Sequence, residues 1–214
     1  MTLASEPPRV RANALSTADR IRQAALTSFA AHGTAATTMR GVALAAGVSL
    51  GLVQHHFANK AGLVKVVDDY VLALVVTELG QPMPDLPADS VAEVGDRVTR
   101  IFTEHPDVAG YVGRAMVDGS ALGAKLFDAL MEVGLKRWNF RAERGEIRPD
   151  ADLTWAAING LVLGLGAVSL RAHVDRHLPQ PLTTPTELHR WRAATDQLLR
   201  GGLFRNDDGA VDGD

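Results

Sequence analysis

Two adjacent histidines, His55 and His56, stand in the stretch AAGVSLGLVQHHFANK at residues 45–60. An imidazole can bind a metal ion, transfer a proton near neutral pH, or contact nucleic acid. Neighbouring residues on a helix diverge by roughly 100°, which weakens the interpretation that this pair chelates one metal ion. Contact with DNA and plain surface exposure remain, and the surrounding elements favour one of them.

The stretch follows two predicted helices. Ser16 and Asp19 form a capping-box-like start, and Ile21, Ala25 and Phe29 repeat at helical spacing up to His32-Gly33. A second, shorter helix follows from an N-cap at Thr37 or Thr38 and ends near Gly47.

Ser49 then caps a third helix, LGLVQHHF, in which Val53 and Phe57 are expected to face the core and Leu52 mostly to pack. Two short helices joined by a three-residue turn containing glycine form the helix-turn-helix pattern. The histidines lie on its second helix, the one that enters the major groove of DNA in such motifs.

The rest of the chain also reads as helical. Helices are predicted at 60–79, 90–104, 107–118, 121–144, 151–175 and 184–202, with a proline-rich loop at 80–89. We therefore predict an all-α fold of about nine helices. Its parts are a flexible arm at 1–15, a helix-turn-helix domain at 16–62, a helical ligand-binding and dimerisation domain at 63–204 and a flexible acidic tail at 205–214.

Charge and composition narrow the function. Residues 1–65 carry seven basic and two acidic side chains, whereas the remainder carries 15 basic and 23 acidic ones. This asymmetry is compatible with chance, and equally with a polyanion that meets only the first third. The absence of cysteine excludes disulfides and thiolate sites, and with no signal-peptide pattern it suggests the cytoplasm. The apolar run 153–170 is interpreted as a buried helix rather than a membrane span.

Residues 21–63, IRQAALTSFAAHGTAATTMRGVALAAGVSLGLVQHHFANKAGL, resemble the DNA-binding domain of TetR-family transcriptional regulators. The shared features are an apolar helix ending in glycine, a threonine pair, an Ala-x-x-Ala-Gly-Val-Ser turn, an aromatic-ended recognition helix and a following lysine. The resemblance implies a homodimer that binds double-stranded operator DNA, is usually a repressor, and responds to a small-molecule effector. No cofactor, catalytic residue or metal site is expected.

The DNA contacts expected from this arrangement fall into two groups. Outward side chains of the recognition helix would reach base edges, with an amide suited to adenine and Leu50 suited to a thymine methyl group. Others would hold phosphates, and Arg40 would reach either a guanine or a phosphate. The predicted DNA-binding residues are Thr38, Arg40, Ser49, Leu50, Gly51, Gln54, His55, His56 and Lys60.

The predicted body supplies candidates for dimerisation and for a ligand pocket. Small residues on one long helix and apolar residues on the last one are expected to meet a second subunit, although a core helix would show the same pattern. These are Ala156, Gly160, Gly164, Ala167, Trp191, Ala194, Leu198 and Leu199. Candidate pocket residues are Phe102, Tyr111, Met116, Phe127, Met131, Trp138, Trp155 and Asn159, with Arg114, Glu104 and Asp118 as candidates to select ligand charge.

Other functions find less support in the sequence. There is no phosphate loop, serine elbow, H-E-x-x-H motif or dinucleotide fingerprint, so an enzyme is not expected. The alternative is a helical small-molecule-binding protein or enzyme with a vestigial DNA-binding head. The pair His173 and His177 has zinc-compatible spacing but suits favourable charge near a helix end better.

Overall fold

The computed structural model describes residues 15–81 and 90–204, with side chains in the second range from residue 92 onward. Within these ranges the chain is helical, as predicted. The expected arm at 1–15 (except Leu15), the residues 82–89 of the expected loop and the expected tail at 205–214 lie outside the described residues.

Three helices form the head, which we define as residues 15–59: α1 (Thr17–Ala36), α2 (Met39–Ala46) and α3 (Leu50–Phe57). The predicted caps are confirmed, because Ser16, Thr38 and Ser49 each accept a backbone N–H of the first turn. Gly47 closes α2 in the left-handed region (φ 65°, ψ 40°), as the turn requires. Gly33 leaves the helical region (φ 82°, ψ 162°) and kinks α1 where the sequence predicted the helix to end, and one further turn up to Ala36 follows this kink.

The body, residues 60–204, contains the remaining helices. They are α4 (Lys60–Gly80), α5 (Ser90–Glu104), α6 (Pro106–Val117), α7 (Ala121–Glu143), α8 (Leu153–Ser169), α9 (Arg171–Val174) and α10 (Pro185–Leu203), with a 3₁₀ turn at Asp175–His177. The α4 helix joins the head to the body, and α6 packs on α1, α7 and α8.

The single helix predicted over 151–175 is wrong, because it breaks at Leu170. This residue leaves the helical region (φ −100°, ψ 9°), and the His173 N–H donates to the Leu170 carbonyl three residues earlier. Among the described residues no single helix is long and apolar enough to cross a membrane. Only α8 and the following Arg171–His177 reach that length and composition together, and they bend by 70° at the break.

One hydrophobic core runs through both parts. In the head it contains Ile21, Phe29, Val42 and Val53, all of them fully or almost fully buried. It continues along α4 through Val67 and Val71 into the body. This continuity fixes α1 and α3 against α4, so the surface of α3 is held in a defined orientation.

Candidate nucleic-acid interface and body cavity

The outer face of α3 is polar and open to solvent. Gln54, His55 and His56 are exposed, as are Ser49 and Gly51 at the start of the helix. The opposite face is anchored by Val53 (0% exposed) and Phe57 (8%), so the side chains of the outer face project from a fixed base. The two imidazoles lie with ring centroids 5.5 Å apart and point in different directions, with 73° between their planes.

The two leucines of α3 exchange the positions expected from the sequence. Leu50 is half-buried against the head core, whereas Leu52 is 37% exposed. The reason is helical geometry: residues 50, 53 and 57 lie at i, i+3 and i+7, so Leu50 shares the buried face of Val53. Leu52 instead shares the outer face with His55 and His56.

Several predicted DNA-binding residues already have internal partners. The Thr38 hydroxyl oxygen accepts the Gly41 N–H at 3.0 Å, and Ser49 caps Leu52 at 3.2 Å. The Lys60 ammonium donates to the Ala35 carbonyl at 3.0 Å and is half-buried. Arg40 is exposed. Each of these residues lies at or near a helix start, where backbone N–H groups also face outward.

Arg20 is a head residue that the sequence analysis missed. Its guanidinium donates to the Ala46 carbonyl at 2.7 Å and so ties α1 to the turn between α2 and α3. A Cβ at Gly47 would lie 3.5 Å from the same guanidinium. No local sequence pattern predicts that a single arginine on an amphipathic helix will form such a long-range hydrogen bond.

A second site lies inside the body. A partly open cavity of about 190 Å³ is lined by α4, α5, α6, α7, α8 and α10. Its lining is aliphatic and aromatic apart from Arg137, Arg141, Arg192, Thr195 and Asp196. Such a cavity, apolar with a few polar groups, suits a small organic ligand.

Two of the predicted pocket residues, Phe102 and Trp138, line this cavity. The other six lie elsewhere. Tyr111 is buried and donates its hydroxyl to Asp68 at 2.7 Å, and Trp155 and Asn159 are exposed on the outside of α8. Met116, Phe127 and Met131 are half-buried outside the cavity lining.

The small-residue stripe expected at the dimer interface faces inward. Gly160 and Gly164 line the cavity, as do Trp191 and Leu199, whereas Ala156 and Ala167 are buried. Because a helix turns by 100° per residue, the glycines lie on the opposite side of α8 from Val162, which is 56% exposed. Of the predicted interface residues only Ala194 and Leu198 are exposed.

Polar contacts connect the body to the head. The Arg114 guanidinium donates to the Ala30 and Ala31 carbonyls at 2.7 and 2.6 Å, so this residue binds α1 and is not one of the lining residues. Asp107 accepts the Thr27 hydroxyl at 2.6 Å. Both contacts join α6 to α1, and α6 also borders the cavity through Ala109 and Val112.

Burial shifts the pKa of two hydrogen-bonded groups on α4 and α6. The pKa of the Tyr111 hydroxyl is raised well above its usual range by burial and by its bond to Asp68. The pKa of Asp68 is also raised, chiefly because burial disfavours the carboxylate, although the Tyr111 hydroxyl and Lys125 oppose this shift.

Residues 21–67 match the family model described as "Bacterial regulatory proteins, tetR family". The match covers most of the head and the start of α4, and this part of the chain is therefore similar to TetR-family regulators. The HTH-type transcriptional regulatory protein RaaS of Mycobacterium tuberculosis is 28% identical over 134 residues, which are 62% of this chain and 60% of RaaS. The match therefore spans less than two thirds of that relative.

Solved structures share the overall architecture of this chain. GusR of Salmonella enterica superposes with a TM-score of 0.66 at 22% identity, over 89% of this chain and 97% of GusR. SmeT, the repressor of the Stenotrophomonas maltophilia multidrug efflux pump SmeDEF, gives 0.67 at 20% identity, over 92% and 96%. At these identities the likeness extends to the fold alone, and the roles of individual side chains rest on this chain's own geometry.

Proposed function

We propose that this chain is a transcriptional repressor that binds a palindromic operator as a homodimer and is released from DNA by a small-molecule effector. The observation that carries the proposal is the presence in one chain of an exposed α3 face on a rigid base and of a largely apolar cavity. The first is suited to the major groove, and the second to an effector.

In this proposal the outer face of α3 contacts base edges. The Gln54 amide can donate and accept toward adenine, and Leu52 takes the apolar contact first expected of Leu50. His55 lies beside them. Phosphates are held by His56, Arg40 and Lys60 and by the backbone N–H groups at the starts of α2 and α3.

The dimer forms through the outward sides of α8 and α10. Trp155 and Val162, which are 58% and 56% exposed, lie on one side of α8. Leu170, just after the end of α8, is 54% exposed, and Leu198 on α10 is 65% exposed. An apolar stripe of this length on a subunit surface favours burial against another protein surface. A second copy also supplies the second recognition helix that a palindrome requires.

Effector binding reaches the head through α6. The cavity touches α6 at Ala109 and Val112, and α6 holds α1 through Arg114 and Asp107. An effector that fits only one position of α6 shifts the population toward that position and changes the spacing of the two heads. The DNA-bound spacing is then lost.

The first test is selection of the purified full-length protein against random DNA fragments, followed by sequencing. The expected result is an enriched palindrome with half-sites about one helical turn apart or slightly more. Gln54→Ala should change the preferred bases, whereas Gln197→Ala, an exposed glutamine of α10, should not. Absence of any enrichment at low salt would reject the DNA-binding proposal.

The dimer is tested by sedimentation equilibrium of Val162→Glu. Val117→Glu is the matched control, because Val117 is 68% exposed but lies at the end of α6. The α8 variant should sediment as a monomer at concentrations where the wild type and the control are dimers. A dimeric Val162→Glu protein would place the interface elsewhere.

A further inference from the structure

Arg137 brings a cation to the wall of an otherwise apolar cavity. It is half-buried, and its guanidinium donates to the Leu79 carbonyl and, at 3.4 Å, to the Gln81 carbonyl. Neither partner carries a charge. Within the described ranges Arg137 takes part in no ion pair, although it borders the cavity directly.

The other charged residues of the lining have ionic partners. Arg141 bonds to Glu146 at 2.8 Å, and Arg192 bonds to Asp96. The Asp196 carboxylate accepts from Arg200 at 2.8 Å. Their charges are therefore compensated by the protein itself, whereas Arg137 meets only backbone oxygens.

The neighbours of Arg137 make its positive charge less favourable, so that a nearby anion would stabilise it. Arg97, which is 2% exposed, donates to the same Gln81 carbonyl at 2.6 Å, so two guanidinium groups converge on one oxygen. Glu93 is bonded to Arg97 at 2.8 Å. Burial first, and then repulsion from Arg97, lowers the pKa of Arg137 to about 10, even though Glu93 opposes the shift. A group in this state is stabilised by any anion placed next to it.

One feature of the cavity would instead favour a positively charged ligand. The second carboxylate oxygen of Asp196, Oδ1, is buried without a hydrogen-bond partner, and Asp196 is one of the lining residues. It can accept a hydrogen bond from a ligand N–H or O–H. However, Arg200 already neutralises the Asp196 carboxylate. A neutral hydrogen-bond donor on the ligand is therefore enough for this oxygen, and a ligand cation is not required.

From this arrangement we infer that the effector is an apolar molecule carrying one carboxylate-like anionic group, and that this group binds the Arg137 guanidinium. The planar guanidinium suits a carboxylate, with its N–H groups aligned to two oxygens. The aliphatic and aromatic lining takes the rest of the molecule. The inference rests on the proposed function only in treating the cavity as the effector site.

Equilibrium dialysis of the full-length protein tests this inference with two sets of probes. The first set is decanoate, methyl decanoate and decylamine; the second is 2-naphthoate and its methyl ester. Each set keeps the apolar part and changes only the head group. At least one carboxylate should bind about tenfold or more tightly than its ester, as expected for one hydrogen bond to a charged group.

Arg137→Met should abolish this preference, and Arg137→Lys should keep most of it. The matched control is Lys136→Met, which removes one positive charge from the same turn but at a residue 74% exposed to solvent and paired with Glu132. Lys136→Met should leave the ratio unchanged. The wild-type comparison of acid with ester stands even if Arg137→Met folds poorly.

Three results would overturn the inference: equal binding of both acids and their esters, tighter binding of decylamine, or an unchanged ratio in folded Arg137→Met. Tighter binding of the amine would assign the head-group site to Asp196. DNA binding is measured separately. Carboxylate binding without any DNA binding would refute the proposed regulator only, whereas DNA binding with no preference for carboxylates would refute only this inference.

Discussion

The head and the body bury their side chains in different ways. In the head, Ile21, Phe29 and Val53 fill the space between three helices and are 1% exposed or less. In the body, six helices line a cavity, and Gly160 and Gly164 of α8 border it. An added Cβ at either glycine would meet no atom within 4 Å. The interior of the head is packed with side chains, whereas the interior of the body contains a cavity.

This difference matches what each part has to recognise. A duplex groove has a fixed shape, so the head requires a rigid base under a few exposed side chains. A cavity that admits an effector requires missing atoms, and the surrounding helices lose packing contacts there. The stability of the body must then come from the helix contacts around the cavity.

The largest effect should come from removing a ring of the filled core. Phe29→Ala removes a side chain that packs against the Tyr111 ring at 5.9 Å between head and body. Its cost should be about 3–5 kcal/mol in the free energy of unfolding. Phe102→Ala should cost less, because one side of Phe102 already borders the cavity. Urea denaturation of both variants measures the difference, and an equal or larger cost at Phe102 would contradict it.

The same substitution, glycine to alanine, should destabilise the protein at a tightly packed position and stabilise it at a position that borders the cavity. Gly123→Ala places a Cβ 2.3 Å from the Ala115 carbonyl oxygen and should destabilise the protein by about 1–3 kcal/mol. Gly164→Ala projects into the cavity and should stabilise it by roughly 1 kcal/mol, because alanine favours a helix more than glycine does. Thermal unfolding of both variants and of the wild type tests this prediction. A destabilised Gly164→Ala protein would show that the cavity is not open at that position.

A smaller effect is expected at the DNA-facing edge of the head. Lys60→Ala should weaken binding to all DNA sequences alike and reduce the salt dependence by roughly one unit. Titrations of a selected site and of an unrelated duplex at several salt concentrations measure this slope. The bond from Lys60 to Ala35 offers a purely structural role instead. That role predicts a lower unfolding temperature with an unchanged slope.

The smallest effect concerns the pair Asp68 and Tyr111 inside the body. Because burial raises the pKa of Asp68 in the folded protein, its stabilising contribution is greatest below the unfolded pKa, about 3.9, and declines as pH rises through the raised value. Asp68→Asn removes this titration and keeps an oxygen for the Tyr111 hydroxyl. The stability of the wild type relative to the variant should therefore fall from pH 4 upward. A pH series of urea denaturations that shows a constant difference would contradict this.

The sequence predicted the head more completely than the body. Caps at Ser16, Thr38 and Ser49 follow from local hydrogen bonding, which depends on residues three apart. The exchange of Leu50 and Leu52 could also have been predicted, because the spacing 50, 53 and 57 was available in the sequence. Which residues contact DNA stays a prediction.

The body depends on contacts between distant segments. Small residues such as Gly160 and Gly164 are equally compatible with a partner helix, a close internal crossing or an empty space. The break at Leu170 carries no proline or glycine at that position. The bond between Arg114 and α1 joins residues more than 80 positions apart, and no local pattern encodes it.

The two glycines on the cavity wall also have a consequence for evolution. In most of the core an enlarged side chain requires compensating changes in its neighbours before the protein folds again. At Gly160 and Gly164 there is nothing to compensate, so a single mutation can narrow the binding space while the fold and the DNA-binding face are retained. Related proteins can thus diverge in the molecules they detect one substitution at a time, with each intermediate still a folded and selectable protein.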